Sequence, residues 1–177
     1  MTALTTNFDS SEFDVNEPVP VQYSSNVVTL AGVLQDFRDL TDSLVQGGSP
    51  VVITSCYRDP QRNATIPGAV SNSQHLTASA ADVIFEEVSQ LDVYNALLNA
   101  EANGQGPDYS QCIFYQGDPH VHIGIVDPSI PSGQKLLKNT DGTYTDLVAN
   151  PGAASGITST PPNPSLAGTI RASHCPA

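Results

Sequence analysis

Tryptophan is absent, methionine occurs once, and only six residues are lysine or arginine against eighteen aspartates and glutamates. The resulting formal charge of -12 excludes nucleic-acid backbones and anionic membrane surfaces as default partners, because both repel an acidic chain. No apolar run approaches the ~20 residues that cross a bilayer. The first twenty residues carry acids and prolines instead of a basic stretch followed by an apolar one, so no secretory signal is expected. Cys56, Cys112 and Cys175 are odd in number and widely spaced, which speaks against a disulfide framework and for free thiols in a reducing compartment. What the chain does have is 177 residues of which 39% are apolar, enough for one core with additional segments.

Residues 1–26 are polar and contain Pro18 and Pro20, the composition of an extended arm. From Val27 to Val45 the apolar positions Val28, Leu30, Val33, Leu34, Phe37, Leu40, Leu44 and Val45 recur at steps of three and four, which predicts an amphipathic helix stopped by Gly47 and Gly48. PVVITS (50–55) and ADVIF (81–85) read as short strands separated by a loop rich in Asn, Ser, Gly and Pro. Ser89 with Asp92 three residues later predicts a capped helix running to Ala102, ended by Asn103 and Gly104. QCIFYQ (111–116) and HVHIGIV (120–126) flank Gly117-Asp118-Pro119 and form an expected antiparallel hairpin whose alternation puts His120 and His122 on one face. Beyond Asp127 the composition shifts to Pro, Gly, Ser and Thr, with one more candidate hairpin, KLLKNTDGTYTDLV, turning at Asp141-Gly142. Little regular structure is expected from Asn150 to Ala177.

There are only four histidines, and three of them lie in or beside strand signals. His75 falls in the loop, Asp82 opens the next strand seven residues later, and His122 lies in the last strand of the hairpin. Two imidazoles and one carboxylate are a common catalytic zinc set, leaving a fourth position for water. By spacing alone the same residues also suit a solvated strand edge or a satisfied core pair, since His-x-His on a strand is common without a metal.

The surrounding sequence separates these readings. SQHLTASAAD resembles the Ser-x-His-x-x-Gly-x-Ala-x-Asp signature of zinc D-Ala-D-Ala carboxypeptidases and L-alanyl-D-glutamate endopeptidases, with Ala78 at the glycine position. TSCYRDPQRN resembles that family's Ser-Gly-Tyr-Arg-Ser-Pro segment, NFDSSEFD the Asn-Phe-x-x-x-Glu-Phe opening of its phage members, and HVHIGI their Trp-Val-His-Val-Ser strand. The resemblance spans about residues 7–127 and implies that His75, Asp82 and His122 bind zinc. It further implies that Arg58 recognises a substrate carboxylate or stabilises an oxyanion, and that Ser73 holds the loop or orients a ligand. The expected fold is α+β, a small and mainly antiparallel sheet flanked by helices. An N-terminal arm (1–26), a zinc peptidase-like domain (27–127) and a Pro/Gly/Ser/Thr-rich tail (128–177) divide the chain.

One position departs from the pattern. The family's general base stands three residues before the last histidine ligand, where this chain has Pro119. Asp118 and His120 are the candidate substitutes, and His120 is also a candidate alternative ligand. Two functions follow as expectations. The first is a phage-associated zinc peptidase that hydrolyses peptidoglycan stem peptides, made in a host cytoplasm or carried on a virion. The second is a virion structural or binding protein that retains the peptidase fold and docks other virion proteins through its tail. Neither involves nucleic acid or a membrane.

Overall fold

The computed structural model describes residues 2–162. Its centre is one six-stranded sheet: β1 (Val51–Ser55), β2 (Ala80–Phe85), β3 (Gln111–Tyr115), β4 (Val121–Gly124), β5 (Gln134–Lys138) and β6 (Tyr144–Asp146). The strand order is β1-β2-β4-β3-β5-β6. Neighbours run antiparallel except β3 and β5, which are parallel, so the sheet is mixed rather than mainly antiparallel. That correction has a topological cause. Gly124 at the end of β4 and Gln134 at the start of β5 are both register partners of Gln111, so the stretch from 125 to 133 crosses the beginning of β3 and β5 enters on its far side in the same direction as β3, instead of folding as a hairpin against β4.

Three helices accompany the sheet: α1 (Ser24–Leu40), α2 (Pro60–Thr65) and α3 (Gln90–Ala102). α1 buries Val27, Leu30, Ala31, Val33, Leu34 and Phe37 along one stripe, and α3 buries Val93, Tyr94, Leu97 and Ala100. Both stripes join Val83, Phe85, Cys112, Phe114, Val121, Ile123 and Leu137 in one core, with Tyr94 and Phe114 edge to face at 5.4 Å between ring centroids. Strand alternation assigns those sheet residues to one face. The opposite face carries a row set by register: Ser55, Asp82, His122, Ile113, Leu136 and Asp146.

α1 ends at Leu40, earlier than the apolar periodicity predicts, because the Thr41 hydroxyl bonds back to the Arg38 carbonyl and also accepts the Ser49 N–H. α3 starts as predicted, with Ser89 and Asp92 forming a reciprocal capping box. The expected loop between β1 and β2 contains α2, capped by the Asp59 carboxylate, and a 3-10 turn at Gln74–Thr77. The segment before α1 is not an extended arm. It folds into two 3-10 turns (10–13 and 21–23), and Phe8 and Phe13 are buried in the core at 2% and 1% exposure. The alternation of polar residues around those phenylalanines hid two anchors of the kind that hold a segment down. The hairpin turning at Asp141-Gly142 is present as β5–β6, with Gly142 in the left-handed region. Leu147 and Ile157 beyond it also reach the core. The tail expected after Asn150 includes a 3-10 turn at Pro151–Gly156, and residues 163–177 lie outside the described residues. No helix among the described residues is long and apolar enough to cross a membrane.

Candidate metal centre

The three candidate ligands arrive from three places. Asp82 lies on β2 and His122 is its register partner on β4, so strand pairing alone sets their side chains next to each other on one face. A bulge in β1 brings Ser55 opposite Asp82, and the Thr54 hydroxyl donates to the Asp82 carbonyl. His75 comes from the 3-10 turn in the β1–β2 connection. Ser73 caps that turn by accepting the His75 N–H, and Ala78 closes it with φ of 52°, a left-handed conformation that glycine adopts without strain. The glycine of the resembled signature thus corresponds to a real backbone requirement, which Ala78 meets.

Several polar contacts fix this turn against the sheet. The Arg58 N–H donates to the His75 carbonyl, and Asn26 of α1 donates to the Thr77 carbonyl. Gln74, itself buried, donates to Ser110 Oγ and the Ile125 carbonyl, and it lies so close to Gly124 that a β-carbon there would sit 2.2 Å from its Oε1. Upstream, Glu17 accepts the Asp59 N–H and pairs with Arg62, which ties the N-terminal segment to the Arg58 loop.

The ligand atoms of His75, Asp82 and His122 all lie within 4.8 Å of one another. His75 Nε2 is 3.3 Å from Asp82 Oδ1 and 3.2 Å from His122 Nδ1, and His122 Nδ1 is 2.9 Å from Asp82 Oδ1. Zinc bonds of about 2.0–2.1 Å place tetrahedral ligand atoms about 3.3 Å apart, so these separations fit a zinc ion. The orientation of His75 fits as well. Its Nδ1 donates to the Cys56 carbonyl at 2.6 Å, which fixes the tautomer and leaves the Nε2 lone pair directed at the cluster.

Protonation follows the same demand. Burial would raise the Asp82 pKa, but the imidazoles of His75 and His122 outweigh it and hold the carboxyl well below its ordinary range. Burial lowers the pKa of His122, against the opposing pull of Asp82, which favours the neutral ring. An ionised carboxylate beside neutral imidazole is the state a cation binds. Cys56 contributes its carbonyl only, since burial pushes its thiol up to about 12. Cys56 and Cys112 are both free and buried.

Arg58 meets the other oxygen of Asp82 in an ion pair, and its Nε donates to Ser55 Oγ at 3.0 Å. This leaves the Nη1 side of the guanidinium without a protein partner among the described residues. Asp118 and His120 are paired with each other: the Asp118 carboxylate accepts from His120 Nδ1 and from the His120 N–H. Burial would raise Asp118, yet the His120 hydrogen bond lowers it. Burial would likewise lower His120, yet Asp118 raises it. β4 begins at Val121, so His120 precedes the strand, and its ring Nδ1 is committed to Asp118. Gln90, at the start of α3, secures this turn by donating to the Asp118 carbonyl and accepting the Tyr115 N–H.

Two contributors were not read from sequence. Gln74 and Gly124 form a tight contact behind His75, and the only sequence sign of it was a glycine inside the alternating run HVHIGI. Tyr115 is the other: it lies on β3 two residues along from Ile113, the register partner of His122, and on the same face.

The sequence model of the Peptidase M15 family matches residues 6–124, and the chain belongs to that family. Its members are zinc-dependent peptidases, in agreement with the resemblance seen in the SQHLTASAAD, TSCYRDPQRN and HVHIGI segments. No curated protein matches the chain.

Proposed function

We propose that this protein is a zinc peptidase that hydrolyses the peptide stems of bacterial peptidoglycan. The observation that carries the reading is the convergence of His75, Asp82 and His122 within 4.8 Å inside the segment matched by the Peptidase M15 family. These three residues would hold zinc, whose chemistry there is Lewis-acid polarisation of a peptide carbonyl and acidification of water. Arg58 supports the reading by steadying Asp82 with one arm of its guanidinium while Nη1 has no protein partner among the described residues, a donor suited to a stem-peptide carboxylate or a developing oxyanion. Ser73 serves by holding the His75 turn. Pro119 cannot accept a proton, so the general base falls to the hydrogen-bonded pair Asp118 and His120, with the Asp118 carboxylate stabilising the imidazolium that forms as His120 takes the proton. The resemblance of NFDSSEFD to phage members supports a phage setting, and with it synthesis in a host cytoplasm or carriage on a virion.

The test is digestion of purified stem peptides by zinc-loaded protein, with products identified by mass. Cleavage at one bond is expected, with the product masses distinguishing D-Ala-D-Ala from L-Ala-D-Glu hydrolysis. His75→Ala is expected to abolish cleavage and to reduce bound zinc from about one ion per chain to a trace. Cleavage by His75→Ala at the parental rate would overturn the assignment. Stoichiometric zinc with no cleavage would instead identify a degenerate peptidase domain with a binding or structural role, the reading that Pro119 favours.

A further inference from the structure

The β5–β6 unit lies beyond residue 124, where the family match ends. Its parallel docking puts Lys138 opposite Tyr115 of β3, and the β5–β6 register puts Tyr144 opposite Lys138. Continuing the β3–β4 register by one residue brings Tyr115 opposite His120. Tyr115, Lys138 and Tyr144 therefore form a row on the site-bearing face, directly alongside the row that contains Asp82 and His122. The Lys138 ammonium lies over both rings, 5.5 Å from the centroid of Tyr115 and 5.7 Å from that of Tyr144.

Lys138 differs from the other cations among the described residues. Arg58, Arg62 and Lys135 are each paired with a carboxylate. Arg38 lies at the end of α1, where it bonds the Gly47 carbonyl. Lys138 has no ion-pair partner among the described residues. Two aromatic faces hold it in position, a contact that orders an ammonium without neutralising it. A fixed and uncompensated cation beside a peptide-binding site is complementary to an anion on the ligand.

We propose that Tyr115, Lys138 and Tyr144 form a subsite for a carboxylate of the peptide bound at the metal centre. This inference rests on the peptidase reading and extends it. By sheet spacing, Lys138 Cα stands about 12 Å from His122 Cα, two strands across and two residues along. An extended peptide covers that span in about three to four residues, so with the reach of the lysine the carboxylate lies two to three residues from the scissile carbonyl. The carboxylate is either an acidic side chain or a free C-terminus. Through this row the extension after residue 124 supplies the local positive charge that the net charge of -12 denies to the surface at large.

The test uses the full zinc-loaded chain and synthetic stem peptides carrying a carboxylate at a side chain or at the C-terminus, each in acid and amide form. Binding is measured by calorimetry and cleavage in parallel. The wild-type chain is expected to bind one acid form about tenfold more tightly than its amide, the scale of one charge-assisted hydrogen bond. K138Q should bind acid and amide alike, and K138R should restore the preference. The position of the preferred acid tells side chain from terminus. Equal binding of acid and amide by the wild type, binding of neither, or a preference that survives in K138Q would overturn the subsite. A preference lost in K138Q without cleavage of any peptide would leave the subsite standing and remove the peptidase reading. Cleavage with no dependence on Lys138 would do the reverse.

Discussion

Lys135 and Lys138 lie three residues apart on β5, on opposite faces of the sheet, and they use the same functional group in opposite ways. Lys135 is turned to the core face, 6% exposed, with its ammonium enclosed by Glu101 at 2.8 Å, the Tyr109 hydroxyl at 3.1 Å and the Gly133 carbonyl at 3.1 Å. Every donor is committed, which is what a buried charge requires. Lys138 on the site face is positioned by aromatic rings and has no committed anion. The same contrast runs through the sheet. Val83 and Val121 on the core face pack under helices, while Asp82 and His122, their immediate neighbours in sequence, meet on the other. One face spends its polar groups on internal partners, and the other keeps lone pairs and a charge available.

The strongest way to break this comparison is to open the closed face. Glu101→Gln leaves the Lys135 ammonium buried with a weaker partner, and a loss of about 2 kcal/mol in unfolding free energy is expected, below the full cost of breaking a buried pair because Glu101 is partly exposed. Urea denaturation measures it, and the double variant with Lys135→Met should recover most of the loss. Peptide cleavage per folded molecule should be unchanged in both, since neither residue faces the site. A drop in cleavage at constant folded fraction would show that the faces are coupled.

Gly124→Ala perturbs the seam between the faces. The new methyl meets Gln74 Oε1, and Gln74 adjoins His75, so about 1–2 kcal/mol of stability is lost by overpacking. Weaker zinc retention against a chelator should accompany it. Unaltered zinc retention would show that the turn carrying His75 does not depend on Gln74.

The smallest effect concerns Asp118 and His120. His120 is raised above 6.5 and Asp118 is lowered below 3.8 in the folded state. Their mutual stabilisation is therefore full between those two values. It is lost as pH rises through the raised value of His120 and as pH falls through the lowered value of Asp118. Asp118→Asn should cost less than about 1 kcal/mol near pH 5, given the partial exposure of the pair, and less again at high pH, where His120 is neutral and only the hydrogen bonds to Asp118 remain. The His120 resonance of the metal-free protein, followed by NMR, should titrate at lower pH in the variant. A cost that is flat across pH would assign the pair a role other than ionic.

Much of this was legible in local sequence. The period of α1, the Ser89–Asp92 cap, the β-branched runs of β1 and β2, and the Asp141-Gly142 turn each follow from interactions within a few residues, where side-chain pattern and backbone preference agree. The spacing of His75, Asp82 and His122 left a metal site and a plain strand edge both open; it was the resemblance of SQHLTASAAD and HVHIGI to a known signature that pointed to them as a ligand set, and the fold brings the three together. Phe8 and Phe13 were not legible as core residues, since their burial depends on a surface formed far along the chain.

What the sequence determined by itself is the periodicity of its elements, the turn chemistry that separates them, and the identity of the residues able to hold zinc. Tertiary structure alone decided that β5 would pair in parallel with β3, that His120 would turn to Asp118, and that Tyr115, Lys138 and Tyr144 would line up beside the ligand row. The physical reason is that strand pairing is made by backbone hydrogen bonds common to every residue. Partner and direction are therefore chosen by how whole elements pack, not by any short stretch of side chains.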